Sequence, residues 1–225
     1  MFPRLKTYLY RRFKTSFSKS GEDIQLWQLL KKSQGTYIDI GGHHPVFSSN
    51  SYFFYIRGWQ GIVVEPNPKF EILHKKIRPN DFFFSGGVAG EEGEMEYLML
   101  SNDERNSFSG NHLENSNLID QLTSKKSITV RTLSQICSQF LGNNPAIDFM
   151  TIDVEGMERE VLLSNDWKKY RPKYILLESH LPIEKEINGE LCAIMNDKEY
   201  HLIGKTLQGQ FLGTLWFRAN EVEFR

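Results

Sequence analysis

Residues 36–42 read T-Y-I-D-I-G-G, and residues 61–66 read G-I-V-V-E-P. Each is a short apolar run that closes on an acid beside glycine or proline: Asp39 next to Gly41-Gly42, and Glu65 next to Pro66. Apolar runs of this length suit strands buried on both faces, as in a parallel sheet covered by helices. Between them, Ser51 to Arg57 reads as helix and stops at Gly58, a favourable C-terminal residue. Strand, helix and strand in that order predict an α/β fold.

The same alternation runs on through the chain. Pro68 to Ile77 is helical, with Phe70, Leu73 and Ile77 on one face, and Phe82 to Val88 is a third strand. Glu94 to Leu100 reads as an added strand and Ile128 to Val130 as a short one, followed by a helix over Leu133 to Leu141. Ala146 to Val154 and Lys173 to Glu178 are the fourth and fifth core strands, with a helix over Glu158 to Leu163 between them. A helix at Glu190 to Met195 precedes strands near Tyr200 to Leu207 and Phe211 to Arg218. Two consecutive strands imply an antiparallel hairpin appended to the parallel sheet. Ser101 to Lys126, rich in Asn, Ser and charge, reads as a lid or variable loop. With no repeat and no linker, residues 21–225 read as a single domain behind a basic segment at 1–20.

Composition narrows the function classes. The 225 residues carry 27 basic and 28 acidic side chains, a formal charge of −1, so no basic face is indicated and nucleic acid is not an expected partner. The two cysteines, Cys137 and Cys192, form no paired motif, which disfavours a disulfide scaffold or a thiolate zinc site and fits a reducing, cytoplasmic setting. No apolar run approaches the roughly 18 residues that span a bilayer. The first twenty residues depart from this balance: Arg4, Lys6, Arg11, Arg12, Lys14 and Lys19 precede the first acid, Glu22. With Phe2, Leu5, Tyr8, Leu9 and Phe13 near helical spacing, the segment reads as a helix laid across the domain edge. The alternative is a basic amphipathic helix in peripheral contact with the inner face of a membrane. No apolar stretch or small-residue cleavage site marks a signal peptide.

In an open α/β sheet, ligands bind beyond the carboxyl ends of the strands, near the point where strand order reverses. The residues to examine are therefore Asp39 to Gly42, Glu65-Pro66, Ser85 to Val88, Asp153 to Gly156, and Glu178 to His180. Glu65 lies 24 positions after Gly41, close to the roughly 20 at which an acid binds ribose hydroxyls in a nucleotide-binding unit. But G-G-H-H-P is not G-x-G-x-x-G, and Asp39 would repel phosphate. A cofactor with a ribose and a cationic end fits better than a dinucleotide, and S-adenosylmethionine has both. The competing reading is a tight turn with a helix-capping acid.

Five segments together resemble one family. They are S-K-S-G-E-D at 18–23, Y-I-D-I-G-G-H-H-P at 37–45, S-N-S at 49–51, G-W-Q-G-I-V-V-E-P-N-P at 58–68 and I-D-V-E-G-M-E at 152–158. Over about residues 18–180 the chain is similar to the FkbM family of S-adenosylmethionine-dependent methyltransferases. The resemblance implies a class I methyltransferase fold, Rossmann-like, with a seven-stranded, mostly parallel sheet and a C-terminal antiparallel hairpin. It also implies O-methylation, often of sugar hydroxyls in glycans or of natural products. By that resemblance Asp39 and Gly41 line the methionine end, Glu65 binds the ribose, and Pro66 and Val88 flank the adenine. Asp153 then faces the sulfonium and the incoming hydroxyl. Two departures stand out: Gly42-His43 where many members have Ala-Asn, and Ser85-Gly86-Gly87 where a larger polar residue is usual near the adenine.

The reaction is an in-line displacement at a methyl carbon, so alignment and removal of the hydroxyl proton are the main tasks. Asp153 and His180 are the expected catalytic pair, with His180 the base by type. Alternatively a divalent ion, Mg²⁺ or Mn²⁺, could be held by Asp153, Glu178 and His180, with Glu155 beside them, to acidify the hydroxyl. Blander readings are a strand-end His180 satisfied by backbone, Glu155 paired with Arg159 across a helical turn, and His43 or His44 as a cap rather than a substrate contact. The expected acceptor is a small molecule or carbohydrate. An N-methyltransferase, or one acting on protein or lipid, is the alternative.

Overall fold

The computed structural model describes residues 15–142 and 146–223, so the expected N-terminal helix lies outside the described residues as far as Lys14. Seven strands form the main sheet: β1 (Thr36–Ile40), β2 (Gln60–Glu65), β3 (Phe82–Ser85), β7 (Phe149–Ile152), β8 (Tyr174–Ser179), β9 (Tyr200–Leu207) and β10 (Gly213–Ala219). Their order is β3-β2-β1-β7-β8-β10-β9. The pairs from β3 to β8 are parallel, and β10 runs antiparallel to both β8 and β9. This is the class I methyltransferase arrangement, hairpin included.

Alternation along each strand sorts the core into two layers. Ile38, Ile40, Ile62, Val64, Met150, Ile152, Ile175 and Leu177 face one side, where they meet α5 (Leu133–Leu141), α6 (Glu158–Leu163) and α8 (Glu190–Asp197). Tyr37, Phe149, Tyr174, Leu176 and Trp216 face the other, packed with Leu26 of α1 (Glu22–Leu30) and with Phe53 and Phe54 of α2 (Tyr52–Tyr55). Asp39 is two residues from Tyr37 and Glu178 two from Leu176, so both acids share this second face at the strands' carboxyl ends. α3 (Pro68–Ile77) starts on Asn67, whose Oδ1 accepts from the Lys69 amide at 3.2 Å, with proline in the first turn.

Three expectations need correction. The third strand ends at Ser85: Gly86 breaks it, and β4 (Gly87–Val88) pairs instead with β6 (Leu122–Arg131) in a second sheet of order β4-β6-β5, where β5 is Gly93–Leu100. Ser101 to Lys126 is not a structureless loop. Its last five residues belong to β6, and the rest forms two 3₁₀ turns and α4 (Gly110–Asn115) around a small core of Leu98, Leu100 and Leu113. The sequence reading found only the Ile128 to Val130 end of β6, because the rest is mostly exposed and L-T-S-K-K-S shows no apolar period. The helix after β1, expected over Ser51 to Arg57, is a single turn, α2, which tightens at once into turns, the Arg57 amide donating to Phe54 O and the Gly58 amide to Tyr55 O. The remaining short α7 spans Ile183–Glu186. Among the described residues no helix is long and apolar enough to cross a membrane.

Candidate active site

Strand order reverses between β1 and β7, and a cleft of about 880 Å³, its open mouth included, lies beyond their carboxyl ends. Of the residues expected to bind cofactor, Asp39, Gly41, Glu65, Pro66 and Val88 all line it, as does Asp153. The floor is the backbone where the strands stop. The Gly41 and Gly42 amides both donate to Val64 O, at 2.9 and 3.0 Å, and the Asp153 amide donates to Ile40 O at 3.0 Å. Gly41 has φ +82°, and a Cβ there would stand 1.7 Å from Asp153 O. Only glycine lets the β1 and β7 ends approach this closely.

Glu65 is 3% exposed, and its carboxylate accepts from the His43 amide at 2.7 Å and the Asn67 amide at 2.6 Å. Burial pushes its carboxyl up to about 7, against the opposing pull of those two N–H groups. Asp39 is also raised by burial, partly offset by the buried Arg78 guanidinium, and it accepts a short hydrogen bond from Ser51 Oγ. The carboxylate oxygens of Asp153, Glu155 and Glu178 lie within 4.8 Å of one another. Asp153 is raised well above the carboxylate range by burial and then by Glu178; burial and then Glu155 push Glu178 up to about 7. Burial and the nearby like charges both favour the protonated forms of these carboxyls.

The mouth is built by residues the sequence reading did not single out. Asp103, Glu104, Asn106 and Phe108, from the connector between β5 and β6, line it, as does Lys19. Asn106 Oδ1 accepts from the Leu100 amide at 2.7 Å, while its buried Nδ2 has no hydrogen-bond partner among the described residues. Burial lowers Lys19, but the carboxylates of Asp153, Glu178, Glu104 and Glu155 outweigh it and raise the ammonium overall. Lys19 and Ser51 lie in the quoted S-K-S-G-E-D and S-N-S segments, so the signal was present. Asn106 and His112 belong to a stretch without periodicity and carried none.

His180 does not line the cleft. It reaches the cleft through acids, with Nε2 3.3 Å from Glu178 Oε2 and 3.8 Å from Glu155 Oε2. Glu155 does not pair with Arg159, which instead bonds Glu190 at 2.6 Å. Its partners are His112 at 3.1 Å and Arg105 at 3.7 Å. His44 acts as a local cap, its Nδ1 accepting from the Val46 and Phe47 amides at 3.1 Å each. His43 lines the cleft, 3.5 Å from Asp103. The expected metal trio Asp153, Glu178 and His180 is not a set as drawn. The described residues offer His112 with Glu155 and His180, and Asp153 with Glu155 and Glu178, both sharing Glu155.

A Rossmann-like sheet with a terminal hairpin, a glycine floor and acids ending β1, β2 and β7 defines the class I methyltransferases. The model of the methyltransferase FkbM domain matches residues 39–202, and the chain belongs to that family of S-adenosylmethionine-dependent enzymes. No curated protein matches the chain. Solved structures of similar fold include a precorrin-6y C5,15-methyltransferase from Geobacter metallireducens, at 12% identity and TM-score 0.45, covering 88% of this chain and 86% of that one. A second is a 1,6-didemethyltoxoflavin-N1-methyltransferase from Burkholderia thailandensis with bound S-adenosylhomocysteine, at 9% identity and TM-score 0.48, covering 97% and 86%. A third is fibrillarin from Aeropyrum pernix with S-adenosyl-L-methionine, at 13% identity and TM-score 0.46, covering 84% and 68%.

The residues present fit that cofactor. The cleft pairs a buried carboxylate, Glu65, with a floor that carries acids rather than phosphate-binding cations, as a sulfonium and a ribose require. The unpaired Asn106 Nδ2 supplies a donor without a protein partner.

Proposed function

We propose that the protein methylates a hydroxyl of a carbohydrate or carbohydrate-bearing natural product. The bound cofactor supplies an electrophilic methyl carbon on a sulfonium. Glu65 accepts the ribose hydroxyls, Pro66 and Val88 flank the adenine with Asn106 donating at its edge, and Asp39 and Gly41 hold the methionine end. Lys19 is placed to meet the methionine carboxylate.

The observation that carries the reading is the close approach of Asp153, which lines the cleft, to Glu178 behind it, their carboxylate oxygens within 4.8 Å and both raised by burial and by neighbouring acids. An alcohol needs its proton removed as the methyl moves, and a carboxyl held near neutrality is suited to receive it. The base role therefore falls to this pair, with His180, 3.3 Å from Glu178, as a positioning residue. Carboxylates around the mouth can accept several sugar hydroxyls at once, and they disfavour a phosphate-bearing acceptor such as a nucleic acid.

The test has two arms. Calorimetry with S-adenosylhomocysteine should give micromolar-range binding, weakened at least tenfold in Glu65→Ala, since each lost charge-assisted bond is worth about 1.5–3 kcal/mol. Labelled methyl transfer to a panel of glycans, amines, peptides and lipids should label glycan hydroxyls, and Asp153→Asn should slow this by about 10²–10⁴-fold. Transfer to amines, peptides or lipids alone overturns the acceptor assignment, and unchanged affinity in folded Glu65→Ala overturns the ribose assignment.

A further inference from the structure

Beside the cleft, side chains from three separate segments converge on one carboxylate oxygen. Glu155 Oε2 lies 3.1 Å from His112 Nε2 of α4 and 3.8 Å from His180 Nε2 just past β8. A fourth group, Glu178 Oε2, stands 3.3 Å from the same His180 nitrogen. The ligating atoms of His112, Glu155 and His180 all lie within 4.8 Å of one another. Nitrogen and oxygen donors about 2.0–2.2 Å from a common ion sit roughly 3–4 Å apart, and both spacings to Glu155 Oε2, 3.1 and 3.8 Å, fall in that range.

Two further observations point to a ligand. Glu178 is 5% exposed, yet neither its Oε2 nor His180 Nε2 has a hydrogen-bond partner among the described residues. The two atoms meet each other at 3.3 Å without forming a hydrogen bond, and His180 Nε2 also lies 3.8 Å from Glu155 Oε2; buried polar groups usually make hydrogen bonds. The backbone is also arranged for the convergence. Glu155 takes φ +47° and Gly156 φ +98°, and a Cβ on Gly156 would stand 2.6 Å from His112 Cβ. The glycine is what lets α4 bring His112 against Glu155.

We propose that His112, Glu155 and His180, with Glu178 beside them, form a binding site for a divalent transition-metal ion such as Mn²⁺. Two imidazoles with carboxylates favour Mn²⁺, Fe²⁺ or Co²⁺ over Mg²⁺ or Ca²⁺, which prefer all-oxygen sets. An ion pair between His112 and Glu155 alone would satisfy those two groups and leave His180 and Glu178 facing each other. Arg105, 3.7 Å from Glu155 Oε2, is the cation that must yield; its side chain is 32% exposed, so it can turn into solvent. The site itself stands on these residues; its use as a Lewis acid toward an acceptor hydroxyl rests on the O-methylation proposed above.

The experiment titrates Mn²⁺ into the full chain, followed by loss of the free-ion paramagnetic resonance signal, and repeats it with Co²⁺ followed by ligand-field absorbance. Circular dichroism melting checks that His112→Ala and His180→Gln remain folded, and either variant suffices if the other does not. The expected result is one ion per chain, bound at least tenfold more weakly in each folded variant, with Co²⁺ bands indicating imidazole ligation. No stoichiometric binding by the wild type, or equal binding in a folded variant, overturns the site. S-adenosylhomocysteine calorimetry on the same wild-type sample keeps the two readings apart: failure there removes the cofactor assignment and leaves the metal titration interpretable.

Discussion

The guanidinium of Arg78 reaches the carboxylate of Asp39 through a single hydroxyl. Arg78 Nη2 donates to Ser51 Oγ at 2.8 Å, and Ser51 Oγ donates in turn to Asp39 Oδ2. Arg78 is 1% exposed and is also bound to Asp81 at 2.7 Å and to Tyr37 OH at 3.0 Å. A buried cation that does not itself line the cleft thus holds its first acid in place through Ser51. Ser51→Ala leaves Asp39 without its donor and one guanidinium nitrogen without that acceptor. It should cost about 1–3 kcal/mol of stability and weaken S-adenosylhomocysteine binding. Denaturant unfolding and calorimetry on the variant check both, and unchanged affinity would show that Asp39 needs no such support.

Arg78→Met should be far more damaging. It strands the buried Asp81 and Asp39 carboxylates without their cation, and removal of one partner from a buried pair typically costs about 3–5 kcal/mol. Thermal melting is the measurement, and a shift no larger than that of Ser51→Ala would contradict the network described.

Gly41→Ala tests the cleft floor. The substitution meets both a left-handed backbone, φ +82°, and the Asp153 carbonyl at 1.7 Å, neither of which a side-chain rotation relieves. The β1 and β7 ends must separate, so cofactor binding should be lost even where the variant folds. Binding within threefold of the wild type in a folded Gly41→Ala protein would rule out this close approach.

The Glu65 carboxyl gives a pH signature with a definite sign. Its pKa rises from 4.5 to about 7 on folding, chiefly by burial, with Asp39 and Asp153 adding repulsion and the His43 and Asn67 amides opposing it. The folded state therefore binds the proton more tightly than the unfolded one. Stability from this group is fully present below pH 4.5 and is lost as the pH rises through 7, by at most about 3 kcal/mol. Unfolding free energies of wild type and Glu65→Gln between pH 4.5 and 8 should converge or cross in that direction. Parallel curves would place Glu65 in water rather than in the protein interior.

Much of the cleft could be read in the sequence because its signals are local. Asp39-Ile40-Gly41, Glu65-Pro66 and Asp153 each end an apolar run, and a strand's end is where an open α/β sheet presents side chains to a ligand. His180 met the same rule and does stand just past β8, but it does not line the cleft. Being one residue past β8 puts it near the cleft but does not decide which acid it faces.

The sequence alone determined the order of strands and helices, the antiparallel hairpin and the acids that close β1, β2 and β7, because periodicity and turn chemistry act between near neighbours. Only the tertiary structure decided what those acids touch. Arg78 arrives behind Asp39 from 39 positions away, His112 meets Glu155 across 43, and the exposed β6 shows no period until β5 pairs with it. Contacts of that kind depend on how layers pack and how backbones such as Gly156 bend to admit a neighbour. They leave no pattern in the residues on either side.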